Sequence, residues 1–284
     1  MPIALVTDST ASLPADVAAA RDITVVPLQV VIGATSYDEG VEDGATPEML
    51  AEALRAWTPV STSRPNPHEM LEVYERHAEE GATEIVSVHL SGELSGTVES
   101  AQLAARKAPV PVLAVDSRQV GMGTGFAVLS AADARDEGGD AAAMAAAARR
   151  RVSLTTSLFY VDTLEYLRRG GRVGAAAALV GSALAVKPIL RIDDGRVVPY
   201  ERVRTAGKAL GRLEELAVDA VGSAKVDVAV AHLSNEDRAA TLAERLGERL
   251  AAGLEGRPVH VGEIGAVLGA HVGPGMVAVT VARR

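Results

Sequence analysis

Glu84-Ile85-Val86-Ser87-Val88 runs without a break into His89-Leu90-Ser91-Gly92-Glu93-Leu94-Ser95-Gly96-Thr97. The first five residues read as an apolar strand and the next nine as a Gly/Ser-rich turn. Beyond them Val98, Ala101 and Ala105 share one face of an amphipathic run. A strand, a turn and a helix start aim backbone N–H groups and hydroxyls at one point, where the helix dipole also favours negative charge. Glycine lets the backbone come close to a ligand there. On this stretch alone two readings are open: a small anion site, or a strand-to-helix turn whose serines only cap.

The same pattern recurs on either side. Residues 3–6 are apolar and end in Thr7-Asp8-Ser9-Thr10; residues 110–115 are apolar and end in Asp116-Ser117. Residues 23–32 read as one strand, with Pro27 marking an edge position or a bulge. Helices are expected over 14–20, from a Thr46 cap and Pro47 to residue 56, near 126–135 after Gly121–Gly125, and over 141–150. Residues 61–67 read as a hydroxyl-rich turn. Its tail, Asn66-Pro67 with Glu69 reaching back, opens a helix to about residue 77. Strands alternating with helices predict an α/β domain with a mainly parallel sheet over residues 1–150. Ligands of such sheets sit at the carboxyl ends of the strands, here Asp8-Ser9-Thr10, the 91–97 loop and Asp116-Ser117.

The pattern changes after Arg151. Strands are expected at 157–161, 226–232, 259–264 and 276–281, and helices at 206–221 and 237–250, with a small-residue helix over 173–184. Asp193-Asp194-Gly195 between the apolar runs 188–192 and 196–203 is a hairpin signal. His271-Val272-Gly273-Pro274-Gly275 reads as a tight turn. The expectation is a second, α+β domain over 151–284 with a mixed or antiparallel sheet.

Composition narrows the function classes. The chain of 284 residues is 48% hydrophobic and 23% charged, enough to bury a sizeable core. A net charge of −9 argues against nucleic acid or an anionic membrane surface as main partner, and 3% aromatic residues argue against base stacking. Cysteine is absent, which excludes disulfides, thiolate chemistry and Cys-based zinc sites. Met1-Pro2-Ile3 lacks the charged and apolar regions of a signal peptide, and the apolar stretch 173–190 is interrupted by Lys187 and Pro188. A cytoplasmic protein without stable membrane insertion is expected.

Several stretches, taken together and in order over nearly the whole chain, resemble the DegV family of bacterial fatty-acid-binding proteins. They are Val6-Thr7-Asp8-Ser9-Thr10, Thr62-Ser63-x-Pro65, the 91–97 loop, Val115-Asp116-Ser117, the arginine/glycine turn at 167–172, Lys187-Pro188-Ile189, Arg202-Val203-Arg204-Thr205 and His271-x-Gly273-Pro274-Gly275. Two positions depart from the family pattern: Glu93 stands where a second Ser or Gly is expected, and Arg64 where Gln is common. The resemblance implies a fatty acid held between two domains, its tail in an apolar tunnel, which the scarcity of bulky aromatics permits. Thr62, Ser63, Ser95 and His271 would hold the carboxylate, with Ser91, Gly96 and Gly273 supporting the loops. It further implies a carrier without a cofactor. This carrier presents the acid to a separate ATP-dependent kinase subunit that makes acyl phosphate for phospholipid synthesis, with Arg172 and Arg204 as kinase or phosphate contacts.

The chemistry is consistent, because a carboxylate is acceptor-only and wants hydroxyl, amide or imidazolium donors. Competing readings remain at this point. His271 can be a turn histidine bonded to backbone, and Thr62 can open a helix, although Asn66 is better placed for that. A serine hydrolase or acyltransferase could use Ser95, His271 and Asp8 or Asp116, but no Gly-x-Ser-x-Gly elbow is present. A nucleotide binder would need a P-loop that the sequence lacks.

Overall fold

The computed structural model describes residues 2–179 and 187–284. In chain order the first half holds β1 (Ile3–Asp8), α1 (Ala15–Ala20), β2 (Ile23–Val26), β3 (Gln29–Ile32), β4 (Thr35–Asp38), α2 (Pro47–Arg55) and β5 (Val60–Ser63). It continues with α3 (Pro67–Glu79), β6 (Glu84–His89), α4 (Thr97–Ala105), β7 (Val112–Asp116), α5 (Met122–Asp136) and α6 (Ala141–Ser153). β2, β1, β6 and β7 form a parallel sheet in that order, with Leu5 paired to Ile23 on one side and Val86 on the other. Leu5, Val86 and Val88 pack against the alanine-rich faces of α5 and α6. Val6 and Ile85 point the other way, onto Met70 and Tyr74 of α3. Both faces are covered, which is why these strands read as unbroken apolar runs.

Local signals set the helix starts. The Thr46 hydroxyl accepts from Met49 N at 3.2 Å. Asn66 Oδ1 accepts from His68 N and Glu69 N, while Glu69 Oε2 accepts from Asn66 N at 2.8 Å, a complete capping box. Helix α5 begins at Met122, four residues ahead of the expected start at 126.

Residues 23–32 are two strands in two sheets, not one strand. Pro27 has no N–H to continue the ladder. At Leu28 the chain leaves the parallel sheet, its N–H donating to Ser9 Oγ at 3.0 Å and its carbonyl accepting from Glu39 N at 2.9 Å. β3 then joins β4 and β5 in an antiparallel three-stranded sheet. The hydroxyl-rich segment expected as a turn therefore begins as strand β5, with Thr62 opposite Val30.

The second half runs β8 (Thr155–Tyr160), α7 (Glu165–Arg169), a 3-10 segment Gly174–Leu179, β9 (Lys187–Asp193), β10 (Arg196–Val203), α8 (Ala206–Val221), β11 (Val226–His232), α9 (Glu236–Arg249), α10 (Ala251–Leu254), β12 (His260–Glu263), α11 (Ala266–Val272) and β13 (Val277–Arg283). The six strands order as β10-β9-β8-β13-β11-β12, antiparallel except for β11 with β12. Asp194 and Gly195 take φ of 48° and 82°, the pair of positive values a two-residue type I′ hairpin turn requires. The expected helix over 173–184 is 3-10 from Gly174 to Leu179, and its remainder lies outside the described residues. The expected turn at 271–275 starts later: His271 and Val272 still belong to α11, which ends at Gly273 with φ 75°.

One face of the six-stranded sheet packs on α8 and α9 through Leu213, Leu242 and Leu246. The other face, with Phe159 and Leu190, meets Leu28, Val30 and Leu50 from the three-stranded sheet and α2. Met122 and Phe126 of α5 close on Ala229 and Ala282 of the same sheet. The space left between these contacts is the site.

Candidate functional site

The 89–97 loop is fixed at both strand ends. Asp8, fully buried at the end of β1, accepts from Thr10 N (3.1 Å) and Thr10 Oγ1 (2.5 Å) on one oxygen. Its other oxygen accepts from Leu90 N (3.1 Å) and meets His89 Nδ1 (2.9 Å). His89 Nε2 lies 2.7 Å from Ser87 Oγ, which accepts from Tyr74 OH at 2.9 Å. Burial pushes the Tyr74 phenol up to about 12, so it stays a neutral donor. Asp116 at the end of β7 accepts from Gly92 N and Arg118 N. Ser91, fully buried, donates to Gly195 O at 2.8 Å and accepts from Glu93 N, tying the loop to the hairpin turn of the second half. Glu93, the acidic departure from the family pattern, pairs with Arg196 at 2.7 Å and is not in the cavity lining.

Behind this loop lies a cavity of about 410 Å³, lined by the six-stranded sheet, by Thr62 and Ser63 of the three-stranded sheet, and by loop residues that follow β6 and β7, within the ~300–1,000 Å³ range usual for small-molecule sites. Its walls are mostly aliphatic, including Leu90, Leu94, Leu167, Val267 and Met276, with Phe159 as the one phenyl ring among the described residues. Six polar residues of the lining are held by hydrogen bonds to one another or to neighbouring backbone, or are chain neighbours of those that are. Thr62 Oγ1 is 3.0 Å from His271 Nε2. Arg172 donates to Gly170 O and to Leu94 O, next to Ser95. Arg64 donates to Gly96 O at 2.8 Å and pairs with Glu99, and Ser63 is its neighbour. Arg64 lies where a Cβ at position 96 would be, so glycine there is what lets the guanidinium lie over the loop. Ser95 Oγ meets Thr97 Oγ1 at 2.9 Å. Gly96 stands at the N-cap of α4 with no side-chain cap bond, so Ser95 is not used as a cap.

His271 is held from both ends of its helix. The buried Glu39 carboxylate accepts from Val267 N at 2.7 Å at the start of α11, and burial pushes Glu39 up from its ordinary value. At the other end Gly273 leaves room for the Tyr166 ring. Burial, helped by the charge of Arg172, brings the His271 imidazole down to about 4. The imidazolium donor expected from sequence is thus a neutral imidazole at neutral pH. Its Nδ1 has no hydrogen-bond partner among the described residues.

The structure brings Thr62, Ser63, Ser95, Gly96 and His271 to one cavity end and puts Ser91 and Gly273 behind it. It also puts Arg172 in that lining. Arg204 is exposed in the turn before α8 and is not part of the lining. Arg168 and Arg169 are exposed and paired with Glu165. Sequence reasoning missed Arg64 as a site residue, and missed the walls from β8 and β13. On β13 the signal is alternation, since Met276, Ala278 and Thr280 line the cavity; on β8 Ser157, Leu158 and Phe159 all do.

Among the described residues no helix is long and apolar enough to cross a membrane, and no group of three His, Asp or Glu is placed to hold a metal. The model of the family described as "Uncharacterised protein, DegV family" matches residues 2–284. A DegV domain-containing protein of Streptomyces coelicolor is 53% identical over 282 residues, covering 99% of each chain. One from Deinococcus radiodurans is 40% identical, covering 98% of each. Among solved structures, a DegV family protein from Thermus thermophilus, reported for its fatty acid binding, superposes with a TM-score of 0.92 at 36% identity, over the whole of both chains. DegV of Bacillus subtilis, a fatty acid binding protein, does so at 0.88 and 32%, again over both whole chains. Matched from end to end by the family model and by a relative identical at more than half its positions, the chain belongs to the DegV family.

Proposed function

We propose that this protein binds a long-chain fatty acid in the cavity and presents it to a separate ATP-dependent kinase that makes the acyl phosphate. The observation that carries the reading is the shape of the chemistry: a mostly aliphatic slot whose hydroxyl, imidazole and guanidinium groups gather around Thr62 and His271. The binding reported for the Thermus thermophilus and Bacillus subtilis relatives supports it. With His271 as the Nε2–H tautomer, the ring donates to Thr62 and leaves the Thr62 O–H free to donate to a carboxylate. Ser95 and the cationic Arg172 complete a setting that favours an anion over a neutral head group. Each hydrogen bond to the carboxylate contributes about 1.5–3 kcal/mol. The tail adds about 0.8 kcal/mol per buried CH₂, much of it offset by lost motion. The head group therefore sets orientation and the slot sets which chains fit. In this reading Arg172 meets the transferred phosphate at the cavity mouth, and Arg204 belongs to the docking surface of the kinase.

Geometry works against the hydrolase alternative. No carboxylate bonds His271 among the described residues, Asp8 is committed to His89, and Asp116 to loop N–H groups. Asp8, His89 and Ser87 do stand in the order of a catalytic triad, but all three are completely buried. Native and denaturing mass spectrometry of the purified protein tests the carrier. The expected result is a co-purifying long-chain acid released on denaturation; a covalent acyl adduct on Ser95 would instead favour the hydrolase.

A further inference from the structure

The inner wall of the cavity is not uniformly apolar. β8 and β13 lie side by side, with Ser157 opposite Thr280 and Phe159 opposite Ala278, and all four line the cavity. The head-group cluster sits past the other end of this pair, where α7 and Gly170 follow β8 and His271 precedes β13. From Val161, at that end, back to Ser157 is about 13 Å of extended strand at ~3.3 Å per residue. Ser157 and Thr280 thus lie toward the distal part of a long chain that runs along this strand pair with its carboxylate at Thr62 and His271.

Ser157, Thr280 and Gln119 are each only 6% exposed. Ser157 Oγ donates to Gln119 Oε1 at 2.9 Å. Among the described residues Thr280 Oγ1 has one hydrogen-bond partner, Ser157 Oγ at 3.5 Å, longer than the usual hydroxyl hydrogen bond. Its hydrogen-bonding capacity is only weakly used in a buried wall, and a polar ligand atom would use it better. A second feature converges here. Gly121 and Met122, at the N-terminus of the 15-residue helix α5, line the same cavity, and Gly121 supplies no side-chain cap. Gly123 in the first turn packs against Gln119 and Ser157 Oγ. The positive end of a helix thus adds to the hydroxyl pair. The charged residues of the lining, Arg64 and Arg172, both belong to the head-group cluster. A second carboxylate at the inner wall would find no counter-charge, whereas a neutral hydroxyl would find both a donor and an acceptor.

Resting on the fatty-acid reading above, we propose that the cavity takes acyl chains bearing a hydroxyl in their distal half, and that Ser157 and Thr280 select them. The test is competitive binding of stearate and a series of mono-hydroxystearates, the hydroxyl moved stepwise along the distal half, to wild type, Thr280→Val and Ser157→Ala. One regioisomer should bind wild type about tenfold more tightly than its neighbours in the series. Thr280→Val, a near-isosteric change, should abolish that preference while stearate binding is kept or improved; Ser157→Ala gives the same readout if Thr280→Val does not fold. Equal binding of all regioisomers to wild type, or a preference that survives both substitutions, overturns the proposal and leaves the two hydroxyls to ordered water. Failure of stearate itself to bind wild type overturns the fatty-acid reading and this proposal with it, a result distinct from the others.

Discussion

Two histidines stand at the centre of polar clusters in this chain, and the fold treats them in opposite ways. Both ring nitrogens of His89 are engaged, by Asp8 and Ser87, and the chain of bonds runs on to Tyr74 with every member buried. His271 has one ring nitrogen on Thr62 and the other unpaired among the described residues, beside an open cavity. A saturated polar network rigidifies; it leaves nothing for a ligand to complete. The Thr62–His271 pair at the end of an apolar slot instead keeps a hydroxyl hydrogen that a ligand can accept. The contrast separates support from recognition more clearly than residue type does, since both clusters are built from hydroxyls, imidazole and a charged group.

The comparison can be broken at either side. The largest effect is expected from Asp8→Ala, which strands the N–H groups of Thr10, Leu90 and His89 where water does not reach. Denaturant unfolding should show a loss of about 3–5 kcal/mol. A loss below about 1 kcal/mol would mean that the His89 cluster supports nothing. Next is acid stability. The His271 imidazole titrates near 4 in the fold against an ordinary 6.5. Between those values the unfolded chain binds more protons, so the empty protein loses stability as pH falls through that window, by up to about 3 kcal/mol, and is unaffected above it. His271→Gln should flatten this part of the pH profile, and a wild-type profile already flat between pH 6.5 and 4 would place His271 in water. The smallest change in free energy is expected at the open cluster. Ser95→Ala and Thr62→Val should each weaken fatty-acid binding by about 1.5–3 kcal/mol while shifting folding stability by less than ~1 kcal/mol. Unchanged affinity in both would remove the carboxylate from this end of the cavity.

Much of the architecture is written in short-range signals. The Thr46 and Asn66 caps, the Asp194-Gly195 turn and the α8 and β11 segments fall where local sequence puts them, because each depends on residues within a few positions. The 23–32 stretch misleads because its apolar residues are equally suited to either sheet. What divides it is the Leu28 N–H bond to Ser9, a contact made only after folding. Hydroxyl-rich runs resemble turns, yet β3 recruits Thr62 into a strand. The meeting of Thr62 with His271, 209 positions apart, carries no local signal at all; only the ordered family resemblance pointed to both. Likewise Ala278 and Phe159 line a cavity with the same chemistry that fills a core, and nothing in their own sequence tells one from the other.

Trp57, the single tryptophan, takes φ 59° at the end of α2 and stands 72% exposed with the Arg169 guanidinium 4.7 Å from its ring centre. Arg169 shares the short helix α7 with Leu167, whose side chain is part of the slot wall. The molecule therefore carries its own optical gauge. If filling the slot tilts α7 by even a fraction of its width, the stacked cation moves over the lone indole, and emission changes without any dye, label or engineered probe.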